Sequence, residues 1–111
     1  LSYALQVGLY TKVGRCVTFE IALTFGETTA SGSISEITGL PFTSLAGSAA
    51  GGGMYTDNMS ALVGAGIWIM GASSTAINVY FSGTGSVQAI SNTNLGAASN
   101  VIRIAGLYYT A

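Results

Sequence analysis

The run from Cys16 to Phe25 alternates without a fault. Val17, Phe19, Ile21, Leu23 and Phe25 are large and apolar, and Cys16, Thr18, Glu20, Ala22 and Thr24 between them are small or polar. A period of two puts each set on its own side of an extended chain, so this is a strand with one buried face. Upstream, Tyr3, Leu5, Val7 and Leu9 repeat with the same period, and Gly14-Arg15 separates the two runs as a hairpin turn does. The two strands are expected to pair antiparallel.

The same period recurs along the chain. Ile77, Val79 and Phe81 alternate with Asn78, Tyr80 and Ser82, Val87 to Ile90 gives a short strand, and Ile102, Ile104, Gly106 and Tyr108 alternate in a closing strand. Ile34 and Ile37 are three apart, which calls for a bulge near Ser35-Glu36. Pro41, the only proline, suits a sheet edge or a crossing between sheets. From Ser60 to Met70 both faces are apolar, as in a strand buried on two sides; glycines and β-branched residues weigh against a helix there. The stretch Ala46 to Gly53 has no side chains to pack and reads as a loop, and residues 91 to 100 form a second, polar one. Strands with turn signals roughly every ten residues and no helical period predict an all-β, antiparallel β-sandwich, a single domain over residues 1–111.

Charge then narrows what such a fold can do. Seven of 111 residues are charged: Lys12, Arg15, Arg103, Glu20, Glu27, Glu36 and Asp57, or 6%, where an ordinary domain has about 25%. Spread over a folded surface of roughly 5,700 Å², that leaves about 800 Å² per charge, one partner's share of a standard interface. Copies of the chain are expected to cover much of it. Three basic residues and a net charge of −1 give no patch to neutralise phosphates, so no nucleic-acid partner is expected. A mean hydropathy of +0.57 suggests a membrane, but no apolar run approaches the roughly 18 residues of a spanning helix, and no membrane insertion is expected. With no initiator Met or signal peptide, the chain reads as the terminal module of a longer polypeptide.

Catalysis has little to draw on. There is no histidine to shuttle a proton, and the four carboxylates are scattered. The single cysteine, Cys16, makes neither an intrachain disulfide nor a multi-cysteine zinc site. No enzymatic activity, catalytic residue, metal or cofactor is expected. The basic residues are expected to pair with Glu20 or Glu36, within or between protomers.

Three stretches carry a resemblance: GLYTKVGRCVTFEIALTF (Gly8 to Phe25), ITGLPFTS (Ile37 to Ser44) and IRIAGLYYTA (Ile102 to Ala111). Within them Tyr10, Thr11, Lys12, Gly14 and Arg15, then Thr38 to Phe42, then Gly106, Tyr108 and Tyr109 resemble the opening hairpin, the Pro corner and the closing strand of the C-terminal domain of bacteriophage tail fibres and tailspikes. The resemblance implies a jelly-roll-like sandwich, a homotrimer at the tip of a virion fibre, that assembles the trimer and recognises host-surface glycan. It transfers no binding residue, because the middle of the chain, Leu45 to Asn100, matches only in being strand-rich and polar-looped.

Flat rings stack on sugars while neighbouring amides and hydroxyls bond the sugar's own. On that ground Tyr55, Asp57 and Asn58 after the Gly-rich loop, and Asn92, Thr93 and Asn94 in the second loop, are the expected ligand contacts. Trp68, mid-strand among apolar neighbours, reads as core or interface. The second apolar face of its segment, with Val63, Ala65, Ile67 and Ile69, is the expected trimer seam. A purely structural trimerisation role is the competing reading, and hydrolysis a distant third.

Overall fold

The computed structural model describes residues 3–26, 33–34, 36–47, 49–60, 62, 64–83 and 85–111, and most of these lie in strands, with no α-helix among them. In chain order the strands are β1 (Tyr3–Val13), β2 (Cys16–Phe25), β3 (Ser33–Ile34), β4 (Glu36–Ile37), β5 (Ala50–Gly53), β6 (Tyr55–Asp57), β7 (Ala65–Met70), β8 (Ile77–Ser82) and β9 (Val87–Ser91). A 3₁₀ turn at Asn92–Asn94 then leads to β10 (Asn100–Tyr109). Two antiparallel sheets result: β1-β2-β10-β6, and β3-β9-β8-β7-β5 with β4 beside β8.

The expected hairpin closes through Val13↔Cys16. Gly14 takes φ +60° in its turn, a left-handed conformation that glycine adopts without a Cβ penalty. From there β2 pairs with β1 on one side and, over its whole length, with β10 on the other. Its large residues are buried as the alternation requires. Those of β1 are not. The register Leu5↔Thr24, Val7↔Ala22 and Leu9↔Glu20 puts its aliphatic residues with the polar face of β2, and every residue of β1 is exposed.

Two further expectations change. The Gly51 to Gly53 loop is instead edge strand β5, paired with β7 from Ala50↔Met70 to Gly53↔Ile67; ladder hydrogen bonds need no side chains, and here side chains would obstruct. The segment expected to be buried on both sides starts as a strand only at Ala65. It buries one face, Gly66, Trp68 and Met70, while Ala65 and Ile69 are exposed and Ile67 half-buried. Of the bulge expected at Ser35-Glu36, Ser35 lies outside the described residues. On either side of it the chain changes partner, Ile34 pairing with Ile90 of β9 and Glu36 with Asn78 of β8. Ion pairs within the chain are also missing among the described residues: Lys12 lies instead over the Phe42 ring, 5.3 Å from its centroid.

Both sheets contribute to one hydrophobic core, with Phe19, Ile21, Phe25, Ile102, Ile104 and Tyr108 from the first and Trp68, Met70, Ile77, Val79, Phe81 and Ile90 from the second. Trp68 bridges them. Its ring meets Phe19 edge-on at 5.2 Å between centroids and runs between two glycines, Gly52 beside it in its own sheet and Gly106 in the facing one. A Cβ on Gly52 would lie 2.9 Å from the indole Nε1, and one on Gly106 would overlap the indole Cζ2. Tyr108 pins the Pro41 corner to the core, its hydroxyl donating to the Phe42 carbonyl at 2.8 Å, while Thr110 Oγ1 donates to the Thr43 carbonyl at 2.6 Å.

Gly106→Ala forces this wedge apart and is expected to cost about 1–3 kcal/mol in urea unfolding, as overpacking of a tight core does. Burial pushes the Tyr108 phenol above its ordinary pKa of 10.0. The raised value favours the neutral form in the folded chain. Stability from this group is therefore complete below the unfolded pKa and lost as pH rises through the folded one. Tyr108→Phe should lower stability at neutral pH and flatten its decline above about pH 10, read by denaturant titrations across that range.

Candidate functional site

The two loops expected to hold ligand meet at one end of the sheets. β5 and β6 form a single run that changes sheet at Met54, whose N–H donates to the Gly66 carbonyl at 3.0 Å. Beyond it β6 pairs with β10, Tyr55↔Arg103 and Asp57↔Val101, so the Tyr55 and Asp57 side chains stand on the outer face of the first sheet. Tyr55 is 58% exposed and stands opposite Arg103 of the neighbouring strand.

Asn58 then takes a left-handed turn, φ 63°, a conformation asparagine tolerates better than most residues. Asp57 Oδ1 accepts the Asn58 N–H at 2.8 Å. The Asn58 side chain reaches the other loop, donating from Nδ2 to the Ala98 carbonyl, while its own carbonyl accepts the Gly96 N–H at 3.1 Å. Asn94 makes the reciprocal stitch. Its Nδ2 donates to the Ser60 carbonyl at 2.8 Å, its Oδ1 accepts the Ser91 N–H at 2.8 Å, and its carbonyl accepts the Ser60 N–H at 2.9 Å. Thr93 Oγ1 and Ser91 Oγ share a hydrogen bond at 2.8 Å.

Of the six expected contacts, then, Asn58 and Asn94 use their amides to fasten the loops to each other. Tyr55, Asp57 and Thr93 are exposed, and Asn92 is half-buried. A third asparagine had been missed. Asn100 is fully buried, accepting from the Gly96 N–H at 2.8 Å and donating to the carbonyls of Gly96 at 2.9 Å and Phe25 at 3.1 Å. Its parity was the signal: it falls in phase with the inward-facing Ile102 and Ile104.

Two features lie apart from these loops. A groove of about 330 Å³ opens between the hairpin and the Pro41 corner, floored by Ile21, Leu23 and Leu40 and bordered by Gln6 and Tyr10; nothing lies within 4 Å of where a Gly8 Cβ would sit. On the second sheet, Ala65, Ile67 and Ile69 share the outer face of β7, whereas Val63 lies outside the described residues. Among the described residues no group of three or more His, Cys, Asp or Glu gathers to hold a metal ion, and no helix is long and apolar enough to cross a membrane.

No protein-family model, curated protein or solved structure matches the chain.

Removing the Asn94 amide breaks its bonds to the Ser91 N–H and the Ser60 carbonyl, each worth about 0.5–1.5 kcal/mol. Asn94→Ala should therefore speed amide exchange at Ser91 while leaving exchange in β2 unchanged.

Proposed function

We propose that the chain is a receptor-binding module from the tip of a phage tail fibre or tailspike, a jelly-roll-like β-sandwich that works as a homotrimer on the virion and attaches to host cell-surface glycan. The sandwich rests on two antiparallel sheets sharing one core and on a chain that crosses between them repeatedly, at Met54 and again between β9 and β10. Glycan attachment rests on one observation above the others. Two loops distant in sequence are fastened together by side-chain amides, and beside the fastening an exposed tyrosine ring shares its face with the Asp57 carboxylate and the Arg103 guanidinium.

A sugar is the ligand such a surface suits. The Tyr55 ring offers a flat apolar face, the Asp57 carboxylate and Thr93 hydroxyl offer acceptors, and the fixed loops spend little conformational entropy on binding. The reading is of attachment without hydrolysis. Trimerisation would present each such surface three times, so that weak single contacts add through avidity. A purely structural trimeriser is the second reading, favoured by the exposed aliphatic residues on the outer faces of both sheets.

Tyr55→Ala should lower single-site glycan affinity about tenfold, equivalent to about 1.4 kcal/mol, on a glycan array or in cell attachment, with sedimentation unchanged. If attachment persists undiminished in the variant, the ring is not the contact and the structural reading takes precedence.

A further inference from the structure

We propose that the outer face of β1, β2 and β10 is the seam between copies of this chain, with Glu20 of one protomer paired to Arg103 of the next. The inference rests on the trimeric reading above and moves the seam from the β7 face to this one.

The register of β1 is the first argument. A slip of one residue would turn its aliphatic side chains toward the core, yet the hairpin turn and an irregularity between Tyr3 and Leu5 fix the opposite register. Gln6, Gly8 and Tyr10 lie on the side of Leu23, Ile21 and Phe19, and Leu5, Val7 and Leu9 lie on the outer side, with 40%, 39% and 62% of their surface exposed. Across the same face β10 contributes Leu107 and Tyr109, at 47% and 52%. This is a long edge strand, paired with β2 alone among the described strands and carrying its aliphatic residues on the outer side, an arrangement that isolated sheets avoid and that a covering partner stabilises.

Charge identifies the partner as another copy. The cross-strand rows of this face run Leu9, Glu20, Ala105 and Val7, Ala22, Arg103. Glu20 and Arg103 are thus diagonal neighbours, of opposite sign, and no ion pair joins either to another of the described residues. Alanines at 22 and 105 flank both, and shallow depressions open on either side of Glu20. One face therefore carries aliphatic knobs, alanine-floored dents and one charge of each sign, so it complements itself. The β1 stripe and the β10 stripe are separate patches about 10 Å apart, two strand spacings. Docking one copy's β1 stripe on the next copy's β10 stripe is a heterologous contact, the kind that closes into a ring. Tyr55 stands at the β6 rim of that contact.

Sedimentation of wild type, Glu20→Arg, Arg103→Glu and the double exchange tests the seam. Both positions are on the surface, and circular dichroism checks that each variant stays folded. The proposal expects a wild-type oligomer, about tenfold or greater weakening of association in each single variant from like-charge contact, and recovery in the double exchange. Leu9→Ser, which changes no charge, should weaken association as well. A trimer indifferent to all these changes but dissociated by Ile69→Asn overturns the seam and leaves the trimer standing; a monomeric wild type overturns both. Glycan attachment is scored separately, so a trimer that assembles through this seam but binds no glycan counts against the function alone.

Discussion

The two sheets are held at their spacing by one side chain, the indole of Trp68. It is the largest fully buried group, and it fits because Gly52 and Gly106 each withhold a Cβ from the space it fills. The arrangement has a cost: the indole N–H is buried without a hydrogen-bond partner among the described residues, and such a group sacrifices about 1–3 kcal/mol. Edge-on contact with Phe19 and complete removal of the ring from water offset it. From this spacing follows the bareness of β5 at Gly52, where a side chain would collide with the indole; at Gly51 a Cβ would press on the Trp68 carbonyl.

Asparagine does for the loop end what tryptophan does for the middle. Asn58, Asn94 and Asn100 satisfy backbone groups that would otherwise face each other unpaired across two irregular segments. A chain nearly without charge has few ways to fix loops, and a neutral amide, donor and acceptor at once, supplies both halves of each bond without the desolvation penalty of an ion. The surface so fixed keeps its hydroxyls and one ring for other contacts.

Much of the fold was legible because alternation is a local signal. The pairing of β1 with β2, the inward face of β2, the outward Tyr109 and the buried Tyr108 all follow from parity within a few residues. Strand β5 was not legible, since a run of glycines reads as a loop until the tryptophan that requires them is placed opposite. The direction of β1 was also hidden: period two says that Leu5, Val7 and Leu9 share a side but not which side, and the choice is made by register against β2. The candidate site was legible in location but not in division of labour. Composition marks Asn58 and Asn94 as polar loop residues; only the partner loop, some 40 residues away in Asn58's case, shows that they are fasteners.

The pairing of β10 with β2 also sets an order of events. The β1-β2 hairpin is joined by a two-residue turn and its contacts are local, so it can form within about 1–10 μs. The strand that completes the sheet joins Asn100 to Phe25, 75 residues apart, and loop closure of that length must precede any reward from the contact. Until then the hairpin presents unpaired backbone on both edges and aliphatic side chains on its open face. Encounters between chains compete with completion of each one during that interval, and a chain of so few charges has little repulsion to delay them.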